Sequence, residues 1–252
     1  VRKAVAIIPA RYQSKRFPGK PLALIAGVPL IVRVIQTARK SRHINEVMVI
    51  TDDERIASVV ERYDGQAFLS AKEHATGSDR VAELAEKLDY DYVINLQGDE
   101  PSLSPVVIDK VAEALDDPEV IMSSACSPMN DRSEADNPNV VKVVLDDNSD
   151  ALYFSRSRIP YRRVDNGPAA PIYRHIGIYG FKRDFLLKFA AYERTPLEIS
   201  ESLEQLRALE HGHKIRVLIV ESEFSGIDSP EDLVRVEEIF SKQGIRDGGK
   251  QQ

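Results

Sequence analysis

A single cysteine, Cys126, stands in 252 residues. No internal disulfide framework can form from it, and a reducing compartment is expected. Excess positive charge is also missing: 34 Lys and Arg stand against 40 Asp and Glu, a net charge of −6. That balance argues against bulk attraction to nucleic acid. No apolar run approaches the length of a membrane span. The opening Val1-Arg2-Lys3 leads into a short apolar run that Pro9 stops, so no signal peptide is expected and a soluble cytoplasmic protein is the expectation. Neither G-x-x-x-x-G-K-[ST] nor G-x-G-x-x-G occurs, which removes the two common glycine cradles for phosphate. Internal repeats and low-complexity segments are absent as well. Cys126 follows the apolar run that starts at Val120 and reads as a buried, inert thiol rather than a nucleophile.

What the chain does have is enough apolar content for a substantial core, 42%, and one basic loop. The run Ala4 to Ile8 leads directly into Pro9-Ala10-Arg11-Tyr12-Gln13-Ser14-Lys15-Arg16-Phe17-Pro18-Gly19-Lys20-Pro21-Leu22. A short apolar run ending in a loop predicts a buried strand that stops at the C-terminal edge of a sheet, where open α/β sheets bind ligands. Its cations imply an anionic ligand, most simply a phosphate chain. A merely solvated loop would not need the prolines and Gly19 that fix the backbone around those charges.

Strands and helices alternate through the first half. Strands are predicted at Ala4–Ile8, Glu46–Ile50, Gln66–Leu69 and Tyr92–Leu96, the last apolar enough to be covered on both faces. Helices are predicted at Pro29–Arg39, at Asp53–Tyr63 behind a capping box opened by Thr51, at Asp79–Leu88, and from Ser104-Pro105 to about Leu115. This rhythm predicts a mostly parallel sheet with helices on both faces. After about Val120 strand-like runs follow one another: Val120–Ala125, Val140–Leu145, Ala151–Ser155 and His175–Phe181. They suggest a smaller antiparallel insertion, within about 120–195, that forms the far wall of a site. Asp131–Pro138 and Val164–Pro171 read as surface loops. A helix is predicted from Pro196 to about His211, capped by Thr195 with Glu198 three residues on and ended by Gly212. Lys214–Val220 is a further strand, and Ser229-Pro230 opens a last helix. Residues 1–240 are expected to form one domain and 241–252 a flexible tail.

The basic loop would grip a triphosphate through Arg11, Arg16 and Lys20, the arginines as planar forks and the lysine as a point charge. Asn95-Leu96-Gln97-Gly98-Asp99-Glu100-Pro101 follows a buried strand. Asp99 is there placed to ligate Mg²⁺, which takes one or two carboxylates together with phosphate oxygens, although Gly98-Asp99 would also suit a plain turn. Asp228, in Gly226-Ile227-Asp228-Ser229-Pro230, is expected as a second ligand, since Ser229 already supplies the helix cap. His74-Ala75-Thr76-Gly77-Ser78-Asp79-Arg80 could present backbone groups and a helix N-terminus to a base or phosphate; Ser78 is equally an ordinary N-cap. His175 and Tyr179 fall on one strand face and are candidate substrate contacts. His211 and His213, around Gly212, read as a helix end rather than a metal pair.

Together these residues resemble one family. Pro9-Ala10-Arg11, Ser14, Arg16 and Pro18-Gly19-Lys20-Pro21-Leu22 are similar to the signature of the 3-deoxy-manno-octulosonate (Kdo) cytidylyltransferases. The likeness continues through Thr51-Asp52-Asp53, Gly77-Ser78-Asp79-Arg80, Asn95 to Pro101, Tyr153-Phe154-Ser155-Arg156 and His175 to Gly180. It extends to Leu203-Glu204-Gln205-Leu206-Arg207 and to Gly226 through Leu233, from about Val5 to Val236. The first motif alone would indicate only a sugar nucleotidyltransferase. Phe17, Ser78 and Ser229 depart from the usual Leu, Thr and Thr and keep the local chemistry.

The resemblance implies a GT-A-like α/β fold, a homodimer and a Mg²⁺-dependent reaction of CTP with Kdo. It implies nucleotide contacts at Ala10, Arg11, Ser14, Arg16, Lys20, Gly77, Asp79 and Arg80. Metal ligation falls on Asp99 and Asp228, and sugar contacts on Gln97, Arg156, His175, Tyr179, Glu204 and Gln205. Arg11, Lys20, Asp99 and Asp228 would carry catalysis. The alternatives are a relative that activates another sugar acid, such as a sialic acid or an 8-amino Kdo, and a non-catalytic CTP-binding module.

Overall fold

The structure is a computed structural model and describes residues 2–13, 17–70, 72–129, 132–163, 170–221, 232–234 and 236–237. Ser14, Arg16, Asp228, the start of the last helix and the expected tail lie outside the described residues.

The first strand, β1 (Ala4–Ala10), shows how the core is made. Its residues alternate between two cores: Ala4, Ala6, Ile8 and Ala10 belong to one, Val5 and Ile7 to the other. This is the pattern of a strand covered on both faces. After a hairpin of β2 (Leu24–Ile25) and β3 (Val28–Pro29) come α1 (Leu30–Ala38), β4 (Glu46–Thr51), α2 (Glu54–Arg62) and β5 (Gln66–Leu69). The chain then returns through α3 (Gly77–Ala85) to β6 (Tyr92–Leu96), on the opposite side of β1. All pairings among β6, β1, β4 and β5 are parallel. The gap between β1 and β6 is therefore the topological switch point, where such sheets bind ligands beyond their strand ends.

The second half adds α4 (Pro105–Glu113), β7 (Met122–Pro128), β8 (Lys142–Leu145), β9 (Ala151–Ser155) and β10 (Tyr173–Lys182). It continues with α5 (Arg183–Ala190), α6 (Pro196–Glu201), α7 (Leu206–Glu210) and β11 (Arg216–Ile219). β10 joins the two halves. It runs antiparallel to β6 and β7, and its first residues pair with β8, while β8 and β9 form an antiparallel pair. The main path through the sheet is β11-β7-β10-β6-β1-β4-β5. One face is packed by α1, α2 and α4, the other by α3, α5 and α7. The mixed α/β fold with a mostly parallel sheet and antiparallel additions agrees with the sequence expectation.

Local details differ from that expectation for identifiable reasons. Asp53, not Thr51, caps α2: its side chain accepts from the Arg55 amide at 3.0 Å, and the Thr51 hydroxyl accepts instead from the Asp53 amide. Thr76, not Ser78, caps α3, in a capping box closed by Asp79. Pro29 ends β3 and stands before α1 rather than inside it. A 3-10 turn, Arg132–Asp136, lies within the stretch expected to be a loop. The single helix expected from Pro196 to His211 is two, broken where Ser202 turns left-handed with φ 53°. No helix among the described residues is long and apolar enough to cross a membrane.

Candidate active site

The basic loop leaves β1 at the switch point and is held by its own backbone. Gly19 adopts φ 72°, a left-handed conformation that a side chain disfavours. Its amide donates to the Tyr12 carbonyl and its carbonyl accepts from Leu22, both at 2.8 Å. Lys20 opens a 3-10 turn with Pro21 and Leu22. Behind it the small hairpin is anchored by Arg33, buried on α1, whose Nη2 donates to the Ile25 carbonyl at 3.0 Å. The same hairpin takes up the C-terminal segment: the Ala26 amide donates to Glu237 at 3.0 Å, and Val236 packs with Ile25 and Leu30.

Opposite the loop, β6 leads into Gln97-Gly98-Asp99. A Cβ on Gly98 would lie 3.2 Å from the Pro9 carbonyl, so glycine lets the ends of β1 and β6 approach closely. The consequence is a short ion pair across the gap, Lys20 Nζ to Asp99 Oδ2 at 2.6 Å. Both side chains are partly accessible, 15% and 32%, so this pair can exchange partners when an anion or a cation arrives.

The turn before α3 supplies the side wall. Arg11 donates to the His74 carbonyl. Partial desolvation and the like charge of Arg80 lower its guanidinium from the ordinary value. Arg80 is buried, pairs with Asp52 at 2.6 Å and reaches the Ala10 carbonyl at 3.5 Å, the limit of a hydrogen bond. Two guanidinium groups facing each other in a half-desolvated place favour an anion between them. Gly77 stands against Pro9 and the Gln97 amide. His74 is held by Glu83 at 2.6 Å, and that carboxylate also accepts from Ser70 at 2.6 Å.

The far wall comes from β10 and from the turn between α6 and α7. Gly177 on β10 packs against Gln97. Glu204 accepts from the Ser78 amide at 3.1 Å and from its hydroxyl at 2.9 Å, and burial raises its carboxyl above the usual range. The break at Ser202 makes this contact possible, because a continuous helix would not turn residues 203–205 onto the start of α3. Gln205 is buried, and its Nε2 has no partner among the described residues, as does the Arg80 Nε. Buried donors of this kind are what a bound polar ligand satisfies.

Of three further predicted sugar-side residues, Tyr179 and His175 are buried and Arg156 is half-buried. Tyr179 is 4% exposed, and its hydroxyl is raised well above its ordinary value by burial. His175 is bonded through Nε2 to the Ser124 hydroxyl at 2.9 Å, and burial pushes it down to about 3, so it is neutral. The Arg156 guanidinium donates to the carbonyls of Glu201 (2.7 Å), Pro138 (2.9 Å) and Ser202 (3.4 Å). It closes the end of α6. Beside it, Lys142 is fully buried and its ammonium donates to the carbonyls of Asn137 at 3.0 Å, Val140 at 2.6 Å and Arg156. Sequence reasoning passed over Lys142, as it did Asp52 and Arg207 as individual residues; a lone Lys in a strand looks like a solvated edge charge. Cys126 is buried and its thiol is pushed up to about 12 by desolvation, which agrees with an inert role. His211 and His213 pack on Tyr192, the first stacked at 3.9 Å and the second hydrogen-bonded to its hydroxyl at 2.8 Å.

Among the described residues no group of three or more His, Cys, Asp and Glu side chains gathers as a metal cage. One hard carboxylate, Asp99, faces the loop. This donor set fits Mg²⁺ in the manner of a nucleotide site, where one or two carboxylates are completed by phosphate oxygens.

Residues 5–215 match the Cytidylyltransferase family. The chain is 47% identical to the 3-deoxy-manno-octulosonate cytidylyltransferase of Syntrophotalea carbinolica, over 92% of this chain and 96% of that one. It is 45% identical to the enzyme of the same name from Myxococcus xanthus, over 96% and 98%. A solved structure of CMP:2-keto-3-deoxy-manno-octonic acid synthetase complexed with CTP superposes with TM-score 0.90 at 40% identity, covering 96% of this chain and 99% of that one. The 4-diphosphocytidyl-2C-methyl-D-erythritol synthase of Anaerococcus prevotii shares the fold, with TM-score 0.62 at 16% identity. The chain belongs to the cytidylyltransferases, and within them to the 3-deoxy-manno-octulosonate cytidylyltransferase family.

Proposed function

We propose that the chain transfers CMP from CTP to 3-deoxy-D-manno-octulosonate, releasing pyrophosphate, and that it does so with Mg²⁺. The observation that carries the reading is the Lys20–Asp99 pair at the switch point between β1 and β6. It sets a mobile cation and a hard carboxylate on opposite sides of one gap. In the proposed reaction the anomeric hydroxyl of the sugar attacks the α-phosphorus and the bond to the β-phosphate breaks in line. Such chemistry asks the protein for positioning and charge neutralisation rather than a covalent nucleophile, in keeping with an inert Cys126.

Lys20 and Arg11 would hold the β- and γ-phosphates and stabilise the leaving pyrophosphate, with Ser14 and Arg16 of the same loop beside them. Ala10, Gly77 and Arg80 would line the base. Asp99, with Asp228, would hold Mg²⁺. A bound Mg²⁺ would neutralise the α-phosphate and lower the pKa of a hydroxyl oriented on it. Lys20 would then leave Asp99 for the phosphates. Gln97, Glu204 and Gln205 would orient the sugar acid, with Tyr179 and His175 supporting that wall from below and Arg156 closing it. A homodimer and a cytoplasmic location complete the proposal.

The test is pyrophosphate release and product mass from CTP, Mg²⁺ and the full chain. 3-Deoxy-manno-octulosonate should give a CMP-sugar, and N-acetylneuraminate or no acid should give none. Transfer only to another acid would move the substrate; CTP binding without transfer to any acid would make the chain a binding module.

A further inference from the structure

The start of α3, on the nucleotide side, and the α6–α7 turn, on the sugar side, meet through one buried arginine. Arg207 of α7 places Nε and Nη2 on the Glu198 carboxylate, both at 2.8 Å, and Nη1 on Asp79 Oδ1 at 2.9 Å. The other Asp79 oxygen accepts from the Thr76 amide at 3.1 Å, closing the cap of α3. Glu198 in turn accepts from the Thr195 amide at 3.3 Å, at the start of α6. A single guanidinium thus ties two helix caps, and Arg207 and Glu198 are each 1% exposed. Burial opposes the charge on Arg207, yet the two carboxylates hold it above the ordinary arginine range.

Asp79 therefore has both oxygens engaged within the protein. The resemblance assigns it a direct base-side contact; the geometry gives it a different task. Three residues before Arg207, Glu204 lies on the Ser78 amide and hydroxyl, so the two neighbouring contacts lock the same pair of turns. We infer that Arg207 is a positioning residue that couples the nucleotide and sugar halves of the site, so that filling one half tightens the other. The inference rests on the proposed reading of which ligand fills which half. Coupling of this kind is reciprocal: each ligand changes the affinity of the other by the same factor. Lysine cannot substitute, because a point charge cannot hold one carboxylate bidentately while reaching a second.

The experiment measures the affinity of the α,β-methylene analogue of CTP with Mg²⁺, alone and with saturating 3-deoxy-manno-octulosonate. Wild type and Arg207→Lys are compared at a temperature where circular dichroism shows both folded. Wild type should bind the analogue about fivefold or more tightly with the sugar acid present, and Arg207→Lys by less than about twofold. Asp79→Asn, which keeps an acceptor for Thr76 and removes the charge facing Arg207, should lose the coupling in the same way and serves if Arg207→Lys does not fold. Coupling kept in a folded variant, or missing in wild type, would overturn the inference and leave the proposed function standing. Failure of wild type to bind the analogue at all would overturn both.

Discussion

Two places around the sheet treat charge differently, the gap between β1 and β6 and the edge formed by β8 and β9. On the parallel side, Lys20 and Asp99 meet in the open gap between β1 and β6 with part of each side chain accessible, and Arg11, just after β1, is exposed. On the antiparallel side Lys142 and Arg156 are committed to the chain itself. Lys142 directs its ammonium to three carbonyls, and Arg156 directs its guanidinium to three more. The side-chain types are the same and the consequences are opposite. A charge with an exchangeable partner and solvent access can move to a ligand, whereas a charge with several fixed backbone acceptors holds backbone in place, and removing a buried one leaves those acceptors unsatisfied. Arg207 is a third case, buried like Lys142 but held by carboxylates instead of carbonyls.

Several substitutions would break or sharpen this contrast. Asp99→Ala and Lys20→Ala should each lower kcat by about 10²–10³, the usual loss when one electrostatic contact to a transition state is removed, with the melting temperature little changed. A fully active Asp99→Ala enzyme would sink the assignment. Lys142→Met should do the reverse and destabilise the fold by about 3 kcal/mol through its stranded carbonyls, read as a shift in urea midpoint.

A third test uses pH. His175 is buried and held near 3 against an ordinary 6.5. Between those values the unfolded chain binds a proton that the folded chain does not. Stability therefore rises with pH through this window and is lost on acidification, by about 1.4 kcal/mol per pH unit. His175→Gln, which removes the titrating group, should flatten that slope in urea denaturation between the two values; an unchanged slope would mean that His175 is not the buried neutral group described. The smallest effect belongs to Cys126→Ala. It should cost about 1 kcal/mol of stability with no change in turnover, and the native thiol should resist alkylation because its pKa is about 12.

Much of the parallel half was legible in the sequence. Gln66–Leu69 and Tyr92–Leu96 were predicted to the residue, and so was Ala151–Ser155 in the second half, because each is an apolar run bounded by turn residues. The basic loop and the Gly98-Asp99 turn could be read because they follow such runs. What escaped depended on residues far apart in the chain. Thr76-Gly77-Ser78 holds two good N-cap residues, and the fold uses Thr76, with the Ser78 hydroxyl bound to Glu204, 126 residues later. The break at Ser202 has no Gly or Pro to announce it. Helix α5 begins at Arg183 behind Lys182, which makes no side-chain cap, so its start carries no local mark. Lys142 and Arg207 are ordinary cations until the fold supplies their carbonyls and carboxylates.

The most direct test of the contrast is the initial rate of pyrophosphate release from CTP and 3-deoxy-manno-octulosonate by Lys20→Met and Lys142→Met, compared at equal folded fraction. Lys20→Met should be slower than wild type by about 10² or more, and Lys142→Met should keep the wild-type rate per folded molecule. A fully active Lys20→Met, or a Lys142→Met as slow as Lys20→Met is expected to be, would contradict the division of charge between ligand and scaffold.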